Sequence, residues 1–142
     1  MSRKVFVDVE SATLFLVKRS YGAELHLNFR HSLSDNEIQQ ICDGIVGVVN
    51  SNKERLTFVV EEEGNNKPKL SMESLQKLMD VFGKHGKSSN LRCSVIKVSE
   101  IDALVKVLFG LWQAFFTKQE NSCPVLLTDN DDEMHDFLIN PR

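Results

Sequence analysis

Residues 34–60, SDNEIQQICDGIVGVVNSNKERLTFVV, decide the architecture, because the hydrophobic period changes once within them. Ser34-Asp35-Asn36-Glu37 opens the stretch as a capping box, in which the serine hydroxyl and the glutamate carboxylate each satisfy an otherwise orphaned amide. The apolar positions that follow, Ile38, Ile41, Cys42, Ile45 and Val49, fall on one helical stripe. Leu56 to Val60 is then largely apolar and ends in Glu61-Glu62-Glu63, the pattern of a strand covered on both faces. A helix feeding such a strand is the crossover unit of a parallel sheet.

Upstream, the rhythm is that of strands. Val5, Val7 and Val9 alternate with Phe6 and Asp8, and Ala12 to Val17 is a second β-prone run. After Ser20-Tyr21-Gly22, the residues Leu25, Leu27 and Phe29 alternate with Glu24, His26, Asn28 and Arg30. Strict period two predicts a half-exposed antiparallel strand with its polar face toward water. The short Gly-containing turn joins residues 12–18 and 23–30 as a hairpin.

Downstream, helices and strands continue to alternate. Gly64 to Lys69 reads as a polar loop, and Ser71 caps a second helix with Leu75, Leu78, Met79 and Phe82 inward, stopped by Gly83 and Gly86. Leu91 to Val98 is the next strand. Ser99-Glu100-Ile101-Asp102 opens a third helix, whose inward stripe is read as Ile101, Leu104, Val105, Leu108, Leu111, Trp112, Phe115 and Phe116. Val125 to Leu127 is a last short strand, and Asn130-Asp131-Asp132-Glu133 caps a final helix that turns Met134, Phe137 and Leu138 inward. The predicted fold is α/β: a mixed sheet with an N-terminal antiparallel hairpin followed by βαβαβα crossovers, the helices packed on the sheet, in a single domain over residues 1–142.

Composition bounds the function. With 142 residues, 42% of them apolar, the chain can bury one core without a metal or disulfide staple. Seventeen Lys and Arg against 20 Asp and Glu leave a net charge of -3, which lacks the basic footprint of a nucleic-acid binder. Seven Gly, 3 Pro and 3 Cys exclude collagen-like and disulfide-framework classes. Cys42, Cys93 and Cys123 sit in apolar segments and are expected to be reduced core thiols. Met1-Ser2-Arg3-Lys4 runs into strand-like sequence without an apolar leader, and Ala103 to Phe116, interrupted by Lys106 and Gln113, is too short to span a bilayer. Cytoplasm is the expected compartment.

This order of elements resembles a STAS domain, the fold of bacterial anti-sigma-factor antagonists and of the cytoplasmic tails of sulfate-type anion transporters. The resemblance covers residues 22–139. Leu56-Thr57-Phe58-Val59-Val60 stands in place of the family's central strand, and Leu91 to Val98 followed by Ser99 resembles its next strand and turn. Leu104 to Phe116, with Leu108-Phe109-Gly110-Leu111 and Phe115-Phe116, is similar to its leucine-x-x-x-glycine-leucine-x-x-x-phenylalanine helix. Thr128 to Leu138 resembles its closing threonine, acidic turn and helix. Ser71-Met72-Glu73-Ser74-Leu75 occupies the place of the family's Asp-Ser-Ser-Gly-Leu. There the chain departs: Met72 replaces the phosphorylatable serine and Glu73 its neighbour, so the resemblance implies an altered or absent phospho-switch, with a permanent charge at the helix start.

Other candidate sites are weaker. Ser71 and Ser74, with Lys67 and Lys69 just before them, could receive an anion at a helix N-terminus, or serve only as cap and first-turn residue. His26, His31, His85 and His135 match no metal-ligand spacing and read as exposed or capping residues. Asp129, Asp131, Asp132 and Glu133 lack the calcium-loop pattern, and Gly83-Lys84-His85-Gly86-Lys87-Ser88 ends a helix where a phosphate loop would open one. No metal and no cofactor is expected. The third helix carries Val107 and Phe109 off its stripe and is apolar most of the way round, so it is either deeply buried or offered to a partner.

These readings converge on a non-enzymatic, STAS-like regulatory domain that meets a protein partner, or a second copy of itself in a homodimer, through Lys69, Ser71, Met72, Glu73, Ser74, Leu75 and Phe109. The alternative is a carrier of a small molecule, anion or lipid on the same fold.

Overall fold

A computed structural model of the chain describes residues 3–63, 71–85, 90–117 and 123–141. Six strands, β1 (Arg3–Asp8), β2 (Ala12–Arg19), β3 (Gly22–Phe29), β4 (Leu56–Glu62), β5 (Leu91–Lys97) and β6 (Val125–Thr128), form one sheet in chain order. β1, β2 and β3 pair antiparallel, and β3 through β6 pair parallel. Among the described residues four helices connect or follow them: α1 (Asp35–Ser51), α2 (Met72–Lys84), α3 (Ala103–Thr117) and α4 (Asp131–Ile139). This is the mixed α/β sheet expected from the sequence.

The hairpin turns at Gly22, whose φ of 128° suits glycine and where a Cβ would run into the Arg55 carbonyl oxygen. The same Arg55 carbonyl accepts the Ala23 amide at 2.9 Å, which starts the parallel pairing of β3 with β4. The capping box of α1 is present, and Glu37 reaches further than predicted: its carboxylate also accepts the Ser11 amide (3.1 Å) and hydroxyl (2.9 Å), fixing the helix start against the β1–β2 turn. β1 carries a register shift between Val5 and Val7, so the simple Val5-Val7-Val9 alternation is broken by a bulge.

α1, α2 and α3 share one face of the sheet, over Leu14, Leu25, Leu27, Phe58, Val60 and Ile96. α4 lies on the other face, where Leu138 packs with Val59, Cys93 and Val95. An aromatic cluster ties the first layer together. Phe58 of β4 meets Phe82 of α2 (centroids 4.8 Å apart) and Trp112 of α3 (5.9 Å), and Phe116 of α3 packs on both Trp112 (4.8 Å) and Phe82 (5.9 Å). The cluster's one polar group is satisfied: the Trp112 indole N–H donates to Ser94 Oγ (3.2 Å), and that hydroxyl donates to the Phe58 carbonyl (2.9 Å).

Two local expectations are corrected. α2 runs through Gly83 to Lys84 instead of stopping at the glycine, since a glycine inside a helix costs only about 1 kcal/mol and does not by itself end it; the position lies beside Phe115 of α3. Gly86 lies outside the described residues. β3 is not half-exposed: Glu24 is only 1% accessible. The three cysteines are free and buried, and burial pushes each thiol upward, Cys123 to about 12.

The Ser94 relay is testable. Ser94→Ala leaves the Trp112 N–H buried without its acceptor, and chemical unfolding is expected to show a loss of about 1–3 kcal/mol. Trp112→Phe combined with Ser94→Ala should be less than additive, since the first change removes the donor that the second orphans.

Candidate functional site

The start of α2 is built by its cap. Ser71 is extended (φ −75°, ψ 158°), and its Oγ accepts the Ser74 amide and donates to the Ser74 hydroxyl, both at 3.1 Å. This geometry leaves Ser71, Met72 and Glu73 facing solvent and turns Ser74 and Leu75 inward. Met72 is 46% exposed. Ser74, proposed from the sequence as a contact residue or a solvated first-turn residue, is neither: at 4% exposure it is a buried part of the cap. Lys67, Lys69 and the rest of the loop from Gly64 lie outside the described residues.

Leu75 is buried yet not lost to the site. It lines a cleft of about 220 Å³ at the carboxyl ends of the parallel strands, the edge at which open α/β sheets receive ligands. Phe29, Val60, Ile96 and Val98 come from β3, β4 and the end of β5, and Leu104, Val105, Leu108 and Phe109 from the first turns of α3. Thus Leu75 and Phe109, two predicted site residues 34 positions apart, meet around one apolar cleft. Its rim is polar and acidic: Glu62, Ser99, Glu100 and Asp102. Two of these carboxylates are held in place. Ser99 Oγ donates to Glu62 Oε1 (2.8 Å), and Asp102 Oδ1 accepts the Val105 amide (2.8 Å) at the start of α3.

α3 itself corrects the sequence reading. Only Leu108, Trp112 and Phe116 of this helix are buried. Leu104 and Leu111, assigned to the inward stripe, are 48% and 43% exposed, and Val107 is 58% exposed. The reason is geometric. Leu108, Trp112 and Phe116 recur every four residues, so the side turned away holds Ala103, Val107, Gly110 and Ala114 with Leu111 at its border and polar relief at Lys106, Gln113 and Thr117, whereas Leu104 stands in the inward row but in the first turn, where it lines the cleft and stays exposed. Met72 on α2 and this stripe on α3 account for four of the six large apolar residues exposed among the described residues.

A second constellation was missed in the sequence. Glu24, on the α4 side of β3, accepts hydrogen bonds from Tyr21 Oη, from Arg19 Nε (3.1 Å) and from His26 Nε2 (2.9 Å). The His26 ring stacks on Phe15 at 4.9 Å, nearly parallel, and the Arg92 guanidinium lies over the Tyr21 ring at 4.3 Å. His26 is therefore not the solvated strand residue expected. Burial pushes Glu24 upward, but the bonds from His26, Tyr21 and Arg19 outweigh it and hold the carboxyl at about 2. Tyr21 is pushed upward, first by burial and then by its bond to the carboxylate. Hydrophobic alternation cannot see this cluster, because its members are polar and pair with one another across a turn.

The acid stability of the protein should register it. With its native value below the usual 4.5, ionised Glu24 stabilises the fold fully above about pH 4.5 and loses that contribution as pH falls toward 2. Glu24→Gln is expected to lower stability at pH 7 by about 1–3 kcal/mol and to flatten the pH dependence of urea unfolding between those limits. An unchanged slope would show that the cluster does not hold the carboxylate charged.

Compared with known proteins, the chain matches no family model, no curated sequence and no solved structure, and the chemistry of its surface rests on its own side chains.

Proposed function

We propose that the protein is a non-enzymatic, STAS-like interaction domain that docks a protein partner on the side formed by the start of α2 and the outward face of α3. The observation that carries this reading is the exposed apolar set Met72, Leu104, Val107 and Leu111, on two neighbouring helices of one layer. Monomeric surfaces leave single apolar residues exposed at little consequence, whereas a contiguous helical stripe marks an interaction surface. A mixed sheet in which an antiparallel hairpin is followed by parallel crossovers with helices packed on it is also the arrangement that the resemblance leads one to expect.

Glu73, beside Met72 in the first turn of α2, supplies the charge that the family's switch would gain by phosphorylation. At this cleft the carrier reading is less well supported: pockets for small ligands run from about 300 Å³ upward, and the cleft between α2 and α3 offers about 220 Å³. Among the described residues no helix is long and apolar enough to cross a membrane.

Site-specific photo-cross-linking in native extract tests this directly. A photoreactive side chain at Met72 or Val107 is expected to trap one discrete adduct, while the same group at Asp132, exposed on α4 across the sheet, traps none. Equal labelling from all three positions, or none from any, would contradict the proposal.

A further inference from the structure

On the second face of the sheet, α4 is held unlike the other helices. We propose that α4 is a releasable strap, clamped by the two ends of β5, which opens as a unit in the folded protein and uncovers an apolar strip of Val59, Cys93 and Val95. The inference concerns the face opposite the docking side and does not rest on the interaction reading above.

Packing is the first argument. α1 buries six side chains and α2 five, whereas α4 buries Leu138 alone and leaves Met134 and Phe137 half-covered. Helices shorter than about 12–15 residues are marginal in water by themselves, so the nine residues of α4 are helical because they are docked. The start of α4 is capped: Asn130 Oδ1 accepts the Glu133 amide (3.0 Å), and Asp131, Asp132 and Glu133 complement the helix dipole. Its last turn has no basic residue to complement the carbonyl end.

The clamps are the second argument, and β5 supplies both. Lys97 Nζ meets Asp131 Oδ1 at 3.0 Å, at the start of α4. At the other end Arg92 Nη2 donates to the Ile139 carbonyl at 3.0 Å, giving the helix the cation that its own last turn lacks. Arg92 reaches this position through a bulge. Leu56 faces Leu91 and Thr57 faces Cys93, so Arg92 is the extra residue, re-aimed onto the Tyr21 ring. Asp131 is exposed and the Arg92–Ile139 bond lies at the surface, where water competes for both. Opening α4 therefore breaks two exposed contacts and withdraws one buried side chain, while lifting α1 or α2 would empty the main core. Segments with few buried contacts and exposed hydrogen bonds open at free energies below that of global unfolding. The strip is displayed or hidden according to how firmly the clamps hold.

The three free cysteines report the opening. Cys93 lies beneath α4, whereas Cys42 and Cys123 belong to the main core, and a buried thiol is alkylated only when an opening exposes it. The full chain is treated with iodoacetamide at urea concentrations below its unfolding transition, and each cysteine is read by mass spectrometry. Cys93 is expected to react about tenfold or more faster than the other two, with a rate almost independent of urea, while Cys42 and Cys123 follow global unfolding. Asp131→Asn should speed Cys93 about threefold, and Leu138→Ala about tenfold or more. Val48→Ala, in the main core, should speed Cys42 and Cys123 and leave Cys93 unchanged, because it destabilises the closed and the open forms alike. In amide exchange, Met134 and Asn140 should open with Cys93 while the Ser94 amide, bonded to the Pro124 carbonyl, stays slow. One shared rate and urea slope for the three thiols, a Cys93 rate indifferent to Leu138→Ala, or a Ser94 amide that exchanges with α4 would each overturn the proposal.

Discussion

The rotation of α3 about its own axis is set by the packing of Trp112 and Phe116 against Phe58 and Phe82, and the surface of the molecule depends on it. Each ring pair adds about 0.5–1.5 kcal/mol beyond area burial, and the Trp112–Ser94–Phe58 relay makes any other rotation leave a buried N–H without an acceptor. Once those two residues and Leu108 face the sheet, a period of 3.6 residues turns Val107 and Leu111 away from it, while Leu104, one turn before Leu108 in the same row, stays exposed at the mouth of the cleft. The apolar exterior of α3 follows from how its interior is pinned.

Magnitudes show why that stripe would not suffice alone. Fully burying a Val or Leu side chain is worth about 1.5–3 kcal/mol, and the three stripe residues are already about half-covered, which leaves roughly 2–4 kcal/mol to gain together. Association costs about 4–15 kcal/mol in lost freedom before any net affinity appears. A stable contact must therefore engage more than the stripe, and the start of α2 and the adjoining cleft are the places where Met72, Leu75 and Phe109 extend it. Three consecutive features of one edge, an exposed helix start, an apolar cleft and an apolar helix face, come together because β4 and β5 run parallel and deliver α2 and α3 from the same side.

Much of this is written in local patterns. The helix caps, the doubly apolar run Leu56–Val60 and the change from period two to period 3.6 place the strands and helices of the described residues, because each depends on near neighbours in sequence. The start of α2 was legible for the same reason: Ser71 is a cap, and the residues after it follow from the cap. What was not legible depends on partners distant in sequence or on rotation. The apolar content of α3 surrounds the helix, so periodicity could not show that Leu111 at the edge of the stripe would be turned out; that rotation belongs to Phe58 and Phe82. Glu24 looked like a solvent-facing residue because period two assigns faces without knowing that Tyr21, Arg19 and His26 would cover it. Gly83 looked like a helix stop because glycine is common just past helix ends, yet one glycine costs too little to end a helix held by Leu78, Met79 and Phe82.

Carbene footprinting of the isolated chain and of the chain in its native assembly, read residue by residue, tests the central claim most directly. The account predicts that Met72, Leu104, Val107 and Leu111 are labelled in the isolated chain and protected in the assembly, while exposed residues of α4 are labelled alike in both. Equal labelling of the α3 stripe in the two states, or protection confined to α4, would contradict it.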